Sequence, residues 1–554
     1  MLNRVIAAKA GGSRRQGQVD LTNAVSAAFG NTEHLAAQAG TGTGKSIGYV
    51  VGAVTALEAG ARRVLLSTSN KALQTQLYKK DIPLVIEALY GDLDRGPRFA
   101  LLKGRDNYLC RRALKDRIRK GDKDVEELGL EKWDGEAIMV NRSNPWTMSG
   151  ERVDLGIPIP DRVWRQVSVS GLECPGAANC GYGETCFFED ARKKAEASRI
   201  IVVNHAQIAV NATIDADVLP EHDFLVVDEA HEFINYFEKA CTSDLSRPLL
   251  RSMVRWVEQL GASVGSADLK LRVEDMVTAI EGETEPRFVE GIDEELEKSL
   301  RALGAAVVDS LEAMKNVSGE VDSEVKSRAF AALTDVENTV VRILGVFQQP
   351  ESAREEAVVF EKGEAKADGH DSDAVGFRDT WPILRVAPLF VDEKIRNQLL
   401  SVTPTVLTSA TLTVGDGLFD AVFREWGLDS NTRCVDVESP FDYTRNGLLY
   451  VAGELPNPGY YDPPEYRRAA ELAKLDEMEA LIRASDGRAL VLFTAYPTMQ
   501  AFAGELRGRL GGYQILCQGE NGADLPNLIE RFKKDPKTVL LGVDSLWQGL
   551  DVPG

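Results

Sequence analysis

Three short stretches hold residue types that could do chemistry together. In "QAGTGTGKSIGYVV", residues 38–51, Gly40, Gly42 and Gly44 alternate with Thr41 and Thr43, and the run passes through Lys45 and Ser46 into an apolar helix. Glycines let a backbone wrap a phosphate, so that successive N–H groups and the helix N-terminus face its charge. Lys45 is then placed to reach terminal phosphates, and the Ser46 hydroxyl to hold Mg²⁺. The spacing departs from G-x-x-x-x-G-K-S/T at one position, Ala39. In "DFLVVDEAH", residues 223–231, an apolar run ends in Asp228, Glu229 and His231. An acid at a strand tip beside a phosphate loop can hold Mg²⁺ through water, and the neighbouring Glu can polarise an attacking water. Alone, two acids at a strand end read as a solvated turn; next to a phosphate loop they read as catalytic.

The third stretch is "CPGAANCGYGETC", where Cys174, Cys180 and Cys186 are separated by two gaps of five residues. Cys110 lies 64 positions before Cys174. Seven cysteines in 554 residues is a sparse and odd number, which disfavours a disulfide framework. Four thiolates are the ligand set of an iron–sulfur cluster, whereas zinc usually takes the closer C-x₂₋₄-C spacing. At this level iron–sulfur, zinc and plain buried thiols all stay open. Cys241, Cys434 and Cys517 fall in apolar or strand-like contexts and read as ordinary buried thiols.

These residues need elements to hold them. "RVLLSTS" at 63–69, "RIIVVN" at 199–204, "DFLVVDEAH" and "PTVLTSATL" at 404–412 are continuous apolar runs with polar ends, as in strands buried on both faces of a parallel sheet. A second block holds "RALVLFTAYP" at 488–497, "YQILCQG" at 513–519 and "TVLLGVDS" at 538–545, with helical patterns between. Two doubly wound α/β units are predicted. Residues 105–198 and 245–375 interrupt them. The second interruption reads as helices, since apolar residues recur at three and four, and ends in "EKGEAKADGHDSDAVGFRD", which reads as a mobile loop.

Net charge is −21, which argues against a nucleic-acid binder. The charge is uneven, however: "KGRDNYLCRRALKDRIRK", residues 103–120, carries eight basic residues against two acidic ones. The apolar run at the start of the chain is too short for a signal peptide, and no stretch approaches a membrane span, so a cytoplasmic protein with no membrane partner is expected.

The motifs, taken in order, resemble the DinG/XPD branch of the superfamily 2 helicases, the iron–sulfur DNA helicases. "SRRQGQ", with Arg15 and Gln18, is similar to the adenine-reading element; "LLSTSNKALQTQL" to motif Ia, which contacts the DNA backbone; "TSATLT" to motif III; "LVLFTAYPTMQ" to motif IV; and "GVDSLWQGLDVPG", with Asp551 on the nucleotide side, to motif V. Alanine at position 39 is common in such helicases. The resemblance implies two RecA-like doubly wound parallel-sheet domains, the first carrying an inserted iron–sulfur domain and a helical arch-like insertion. The implied boundaries are 1–104, 191–244 and 376–428 for the first RecA-like domain, 105–190 for the iron–sulfur domain, 245–375 for the arch and 429–554 for the second RecA-like domain. It further implies ATP with Mg²⁺ on Gly40–Ser46 and Asp228, catalysis by Lys45, Asp228, Glu229 and His231, and a 4Fe-4S cluster on Cys110, Cys174, Cys180 and Cys186. The partners implied are single-stranded and forked DNA, with 5′-to-3′ movement and a role in repair or replication. Lys103, Arg105, Arg111, Arg112 and Lys115 then form a basic path for the strand.

The family normally carries a later Q-x-x-G-R-x-x-R motif with finger arginines, and this sequence stops at Gly554, just past motif V. The expectation is a truncated chain, or a partner polypeptide or missing C-terminal segment that supplies the motif. The alternative is a catalytically incomplete module that binds nucleotide and single-stranded DNA. Gln548 and Gln38 stand where relatives usually carry acids.

Overall fold

The computed structural model describes residues 1–554 apart from 10–12, 131–148, 156, 158, 172, 215–218, 262–266, 284, 316–322, 364–380, 415–417, 460–461, 521–524, 544–545, 548–551 and 553–554. Asp551, Gln548 and most of the acidic loop read at 361–379 lie outside the described residues. In chain order the strands are β1 (Leu35–Ala39), β2 (Val64–Thr68), β3 (Phe99–Leu101), β4 (Ile200–Asn204), β5 (Phe224–Asp228), β6 (Ser243–Ser246) and β7 (Arg287–Phe288). They continue with β8 (Glu356–Gly363), β9 (Trp381–Pro388), β10 (Thr405–Ser409), β11 (Arg433–Val437), β12 (Ala489–Leu492), β13 (Gln514–Cys517) and β14 (Thr538–Gly542).

Among the described residues these form three sheets, and the chain divides into two compact units, Met1–Gly156 with Asp161–Pro440, and Ile157–Pro160 with Phe441–Gly554. The first unit holds a parallel sheet in the order β11-β1-β10-β5-β2-β4-β3. Its middle strands are the continuous apolar runs, and β2 and β10 are buried at every residue. Each such Val, Leu or Ile contributes about 1.5–3 kcal/mol relative to exposure. The helix Lys45–Glu58 is buried on most of its circumference and packs with Leu21, Val25 and Phe29 of the helix Gln16–Asn31 into the core. The second unit holds the parallel sheet β12-β14-β13, in which β14 is fully buried.

The strand order has a functional consequence. β1, β10 and β5 are consecutive neighbours and parallel, so their carboxyl ends open side by side. Ligands of open α/β sheets bind at that edge. The phosphate loop after Ala39, the Ser409 turn and Asp228 are therefore brought together by topology alone.

Two strand assignments differ from the sequence reading. β8 and β9 form an antiparallel ladder from Glu356↔Pro388 to Gly363↔Trp381, flanked by β6 and β7, and share a core with the insertion helices through Val358, Phe360, Leu384 and Val386. Residues 381–388 thus pack with the insertion, not with the parallel sheet to which 376–428 was assigned. β11 pairs with β1, so residues 433–437 belong to the first sheet although the reading placed them in the second domain. β11 is an edge strand with mostly exposed residues, and it lacks the apolar run that marks its neighbours. Cys434, read as buried, is exposed on it. Among the described residues no helix is long and apolar enough to cross a membrane.

Candidate active site

The loop leaving β1 needs a left-handed backbone at Gly42 and Gly44, with φ of 79° and 83°. At Gly44 a side chain would also run into the Gln18 amide. Gly44 caps the helix Lys45–Glu58 without a side-chain bond, so the first turn of the helix presents its N–H groups where an anion would sit. Thr43 is buried and donates its hydroxyl to Gly40 O at 2.8 Å. Thr41 lies at the tip of the loop, and Gly40 directly follows β1. Arg15 donates to Gly42 O, and Gln18 donates to Gly44 O at 3.0 Å. The two residues read as adenine-facing therefore brace the backbone of the phosphate loop.

Lys45 reaches across to the acid turn, with Nζ 2.9 Å from Glu229 Oε1. The other carboxylate oxygen of Glu229 accepts from Ser409 Oγ at 3.2 Å, and His231 Nδ1 lies 2.7 Å from the same hydroxyl. Glu229 itself adopts a left-handed backbone, φ 55°, a conformation that costs about 1–3 kcal/mol outside glycine and recurs at functional sites. Asp228 is buried; its Oδ2 accepts from Tyr49 OH at 3.0 Å and its Oδ1 from the Glu229 N–H at 3.1 Å. Burial pushes the Asp228 carboxyl up to about 6, with the Lys45 ammonium pulling the other way. Ser46 enters the same helix one turn before Tyr49.

Gln38, on β1, ties down the segment after β10. Its Oε1 accepts from Leu412 N and Thr413 N, both at 2.8 Å, and its Nε2 donates to Asp436 at 3.2 Å. A carboxylate at this position could not donate to Asp436, which accounts for the amide.

The four cysteines Cys110, Cys174, Cys180 and Cys186 line one pocket with Tyr108, Leu109 and Phe188, and all four are free thiols. Cys110 caps the helix Arg111–Arg119 and Cys186 caps the helix Phe187–Glu196. Burial raises both thiols, while backbone N–H groups of those first turns favour the thiolate. Arg105 donates to Cys174 Sγ at 3.4 Å. A Cβ at Gly183 would run into the Ala177 carbonyl, so glycine lets the loop fold back between Cys180 and Cys186. Among the described residues no three His, Cys, Asp or Glu side chains converge on a single-ion site.

The basic run is not the open path expected. Lys103 is buried and paired with Glu151; Arg105 is paired with Glu189 at 3.1 Å and stacks on Phe188; Arg111 is buried. Lys103 and Arg105 are thus taken up by partners within the fold. Arg105, Arg112 and Lys115 are half-exposed, and Lys103 and Arg111 are buried.

Comparison with known proteins decides the family. An ATP-dependent helicase DinG of Mycobacterium tuberculosis is 38% identical over 560 residues, covering 99% of this chain and 81% of its own. The chain belongs to the DinG family of ATP-dependent helicases. The ATP-dependent DNA helicase YoaA of Haemophilus influenzae is 29% identical, over 98% of this chain and 80% of its own. A helicase C-terminal domain family matches residues 478–554. A solved structure described as an XPD helicase aligns over 96% of this chain and 80% of its own, at 12% identity and a TM-score of 0.46.

Within this DinG-family chain, sequence reasoning missed Tyr49 as a partner of Asp228. The signal was available: position 49 is one helical turn beyond Ser46, hence on the same face.

Proposed function

We propose that this chain is an ATP-dependent DNA helicase that translocates 5′ to 3′ on single-stranded DNA and opens duplexes during repair or replication. The observation that carries the reading is the connected set Lys45–Glu229–Ser409–His231, which joins the phosphate loop, the acid turn and the turn after β10. The N–H groups of 40–46 and Lys45 would bind the β- and γ-phosphates, and Ser46 and Asp228 would hold Mg²⁺, which neutralises charge on the transferring phosphoryl group when bound. A triphosphate offers Lys45 a stronger anionic partner than Glu229. The Glu229 carboxylate, still held by Ser409, is then released to orient a water. That water's oxygen bonds to the γ-phosphorus as the bond to the ADP oxygen breaks, giving phosphate, ADP and a proton. Arg15 and Gln18 keep the loop in shape, and His231 holds Ser409 beneath Glu229.

In the same reading Cys110, Cys174, Cys180 and Cys186 hold a 4Fe-4S cluster within residues 105–190, and 245–375 together with β9 forms the arch-like insertion. The four thiols line one pocket, and a cluster takes one thiolate per iron. The cluster supplies a covalent brace between the separated segments when bound. Helix-capping thiolates and the Arg105 N–H donor favour that anionic ligand set.

The test is ATP hydrolysis by protein purified without oxygen, with and without single-stranded DNA, beside a Lys45→Ala control. The reading expects DNA to raise the rate by about tenfold or more and Lys45→Ala to lower it by about 10²–10³-fold, the scale of one lost transition-state donor. Forks with a 5′ tail should be opened and those with a 3′ tail left intact. Binding of DNA and nucleotide with no turnover would overturn the catalytic reading. A second expectation concerns Tyr49→Phe. Losing one hydrogen bond to a buried carboxylate should raise the Mg²⁺ concentration for half-maximal hydrolysis about tenfold, because Asp228 is then harder to ionise. A magnesium titration of the ATPase rate checks it, and an unchanged midpoint would remove Tyr49 from the site.

A further inference from the structure

His205 has no role in the site as described, yet it is fully buried between two parts of it. It is the first residue of the helix His205–Thr213, locked by a capping box in which Asn204 Oδ1 accepts from Gln207 N at 2.9 Å and Gln207 Oε1 accepts from Asn204 N at 3.3 Å. Its Nδ1 lies 2.7 Å from Ser67 Oγ, on the neighbouring strand β2. Its ring meets Phe233 and Tyr236 edge-on, at 5.5 and 5.6 Å between centroids. Those two rings open the helix Phe233–Cys241, which follows the Glu229 turn directly. Tyr236 closes the circuit by donating to Ser69 O at 2.8 Å. The ring also lies against the backbone of Asp228 and Glu229.

Packing alone does not account for an imidazole here. Besides the Ser67 hydroxyl, the imidazole has the backbone of Asp228 and Glu229 within hydrogen-bonding reach. An apolar ring would pack as well between Phe233 and Tyr236 but would make neither polar contact. What the imidazole adds is a polar tie from β2 to the helix behind a strained catalytic turn.

We propose that His205 is a positioning residue that couples the segment Ser67–Asn70 to the Glu229 turn, so that engagement of that segment by a phosphodiester backbone sets Glu229 for hydrolysis. The proposal rests on the helicase reading above, in which the segment beginning at 65 meets the strand. A shift of Ser69–Asn70 moves the Tyr236 hydroxyl and the Ser67–His205 pair together. Both bear on the helix that begins four residues after Glu229.

The experiment compares ATP hydrolysis at saturating ATP with and without an oligodeoxythymidine, in the wild-type chain, His205→Phe, His205→Asn and Ser67→Ala. His205→Phe keeps the ring packing and removes the tie; asparagine can restore an acceptor or donor near the place of Nδ1. Stimulation by the oligonucleotide should fall about tenfold in His205→Phe and in Ser67→Ala, within the range of measured site-to-site couplings. The rate of His205→Phe without DNA should stay within about twofold of wild type, and asparagine should restore part of the stimulation. The double variant should lose no more than either single one. Undiminished stimulation in His205→Phe overturns the coupling, and so does an equal loss with and without DNA, which is the mark of a merely structural residue. Should His205→Phe fail to fold, as judged by its melting curve, Ser67→Ala and His205→Asn decide by the same ratio. A wild-type chain that hydrolyses ATP without responding to DNA overturns the helicase reading itself, and the two failures are thereby told apart.

Discussion

Replacing Glu229 by glutamine should lower the turnover of ATP by about 10²–10⁴-fold, the range for losing a positioned general base, while nucleotide binding is kept or tightened. The sign of the binding effect follows from the geometry. Glu229 Oε1 holds the Lys45 ammonium at 2.9 Å, and the two side chains are only 19% and 13% exposed, so this carboxylate competes with phosphate for the same cation. A neutral amide keeps the size and the contact with Ser409 but gives up that competition. Binding of a fluorescent ATP analogue, beside single-turnover hydrolysis, separates the two effects. A fall in turnover of less than about threefold would mean that another group orients the water, because a general base cannot be dispensed with so cheaply. Weaker nucleotide binding would mean that the Lys45–Glu229 pair organises the loop rather than competing with the substrate.

The grouping of residues at the carboxyl end of the first sheet is legible because its signals are local. Glycine spacing specifies the loop, and an apolar run that ends in two acids specifies a strand tip. Parallel strand order then does the rest, since β1, β10 and β5 stand side by side. What was not legible depends on partners distant in sequence. Nothing in "RCVDV" marks β11 as a strand of the first sheet, because an edge strand need not be apolar and its register comes from β1. The ladder of β8 and β9 hides in a segment rich in helix signals, where Val358 and Phe360 face inward at a period of two over a short span. Lys103 and Arg105 read as solvent-facing charge, since a sequence does not show Glu151 or Glu189 waiting across the fold. His205 is the same case in the core. Its type hints at chemistry, but only the placement of Ser67, Phe233 and Tyr236 shows what it could connect.

Removing one cysteine should separate the two halves of the proposed mechanism. In Cys180→Ala, iron bound by protein prepared without oxygen should fall from about four atoms per chain to fewer than one, and the broad visible absorbance of a cubane cluster should go with it. Opening of a fork with a 5′ tail should drop by about tenfold or more, because the loops around Cys174, Cys180 and Cys186 lose the brace that fixes them to Cys110. ATP binding should change little. The nucleotide residues sit on the core formed by Leu21, Val50, Val226 and Val406, to which none of the four cysteines contributes. The wall of Tyr108 and Phe188, packed edge-on at 5.8 Å, also remains to keep the insertion folded. Cys180 is the informative choice because Cys110 and Cys186 cap helices, so that their loss would disturb two helix starts as well as the ligand set. Iron content separates the candidate metals without relying on activity. About one zinc and no iron in the wild-type chain would assign the thiols to a single ion. Four irons that survive the substitution would place the cluster on other ligands, against the convergence of these four thiols on one pocket.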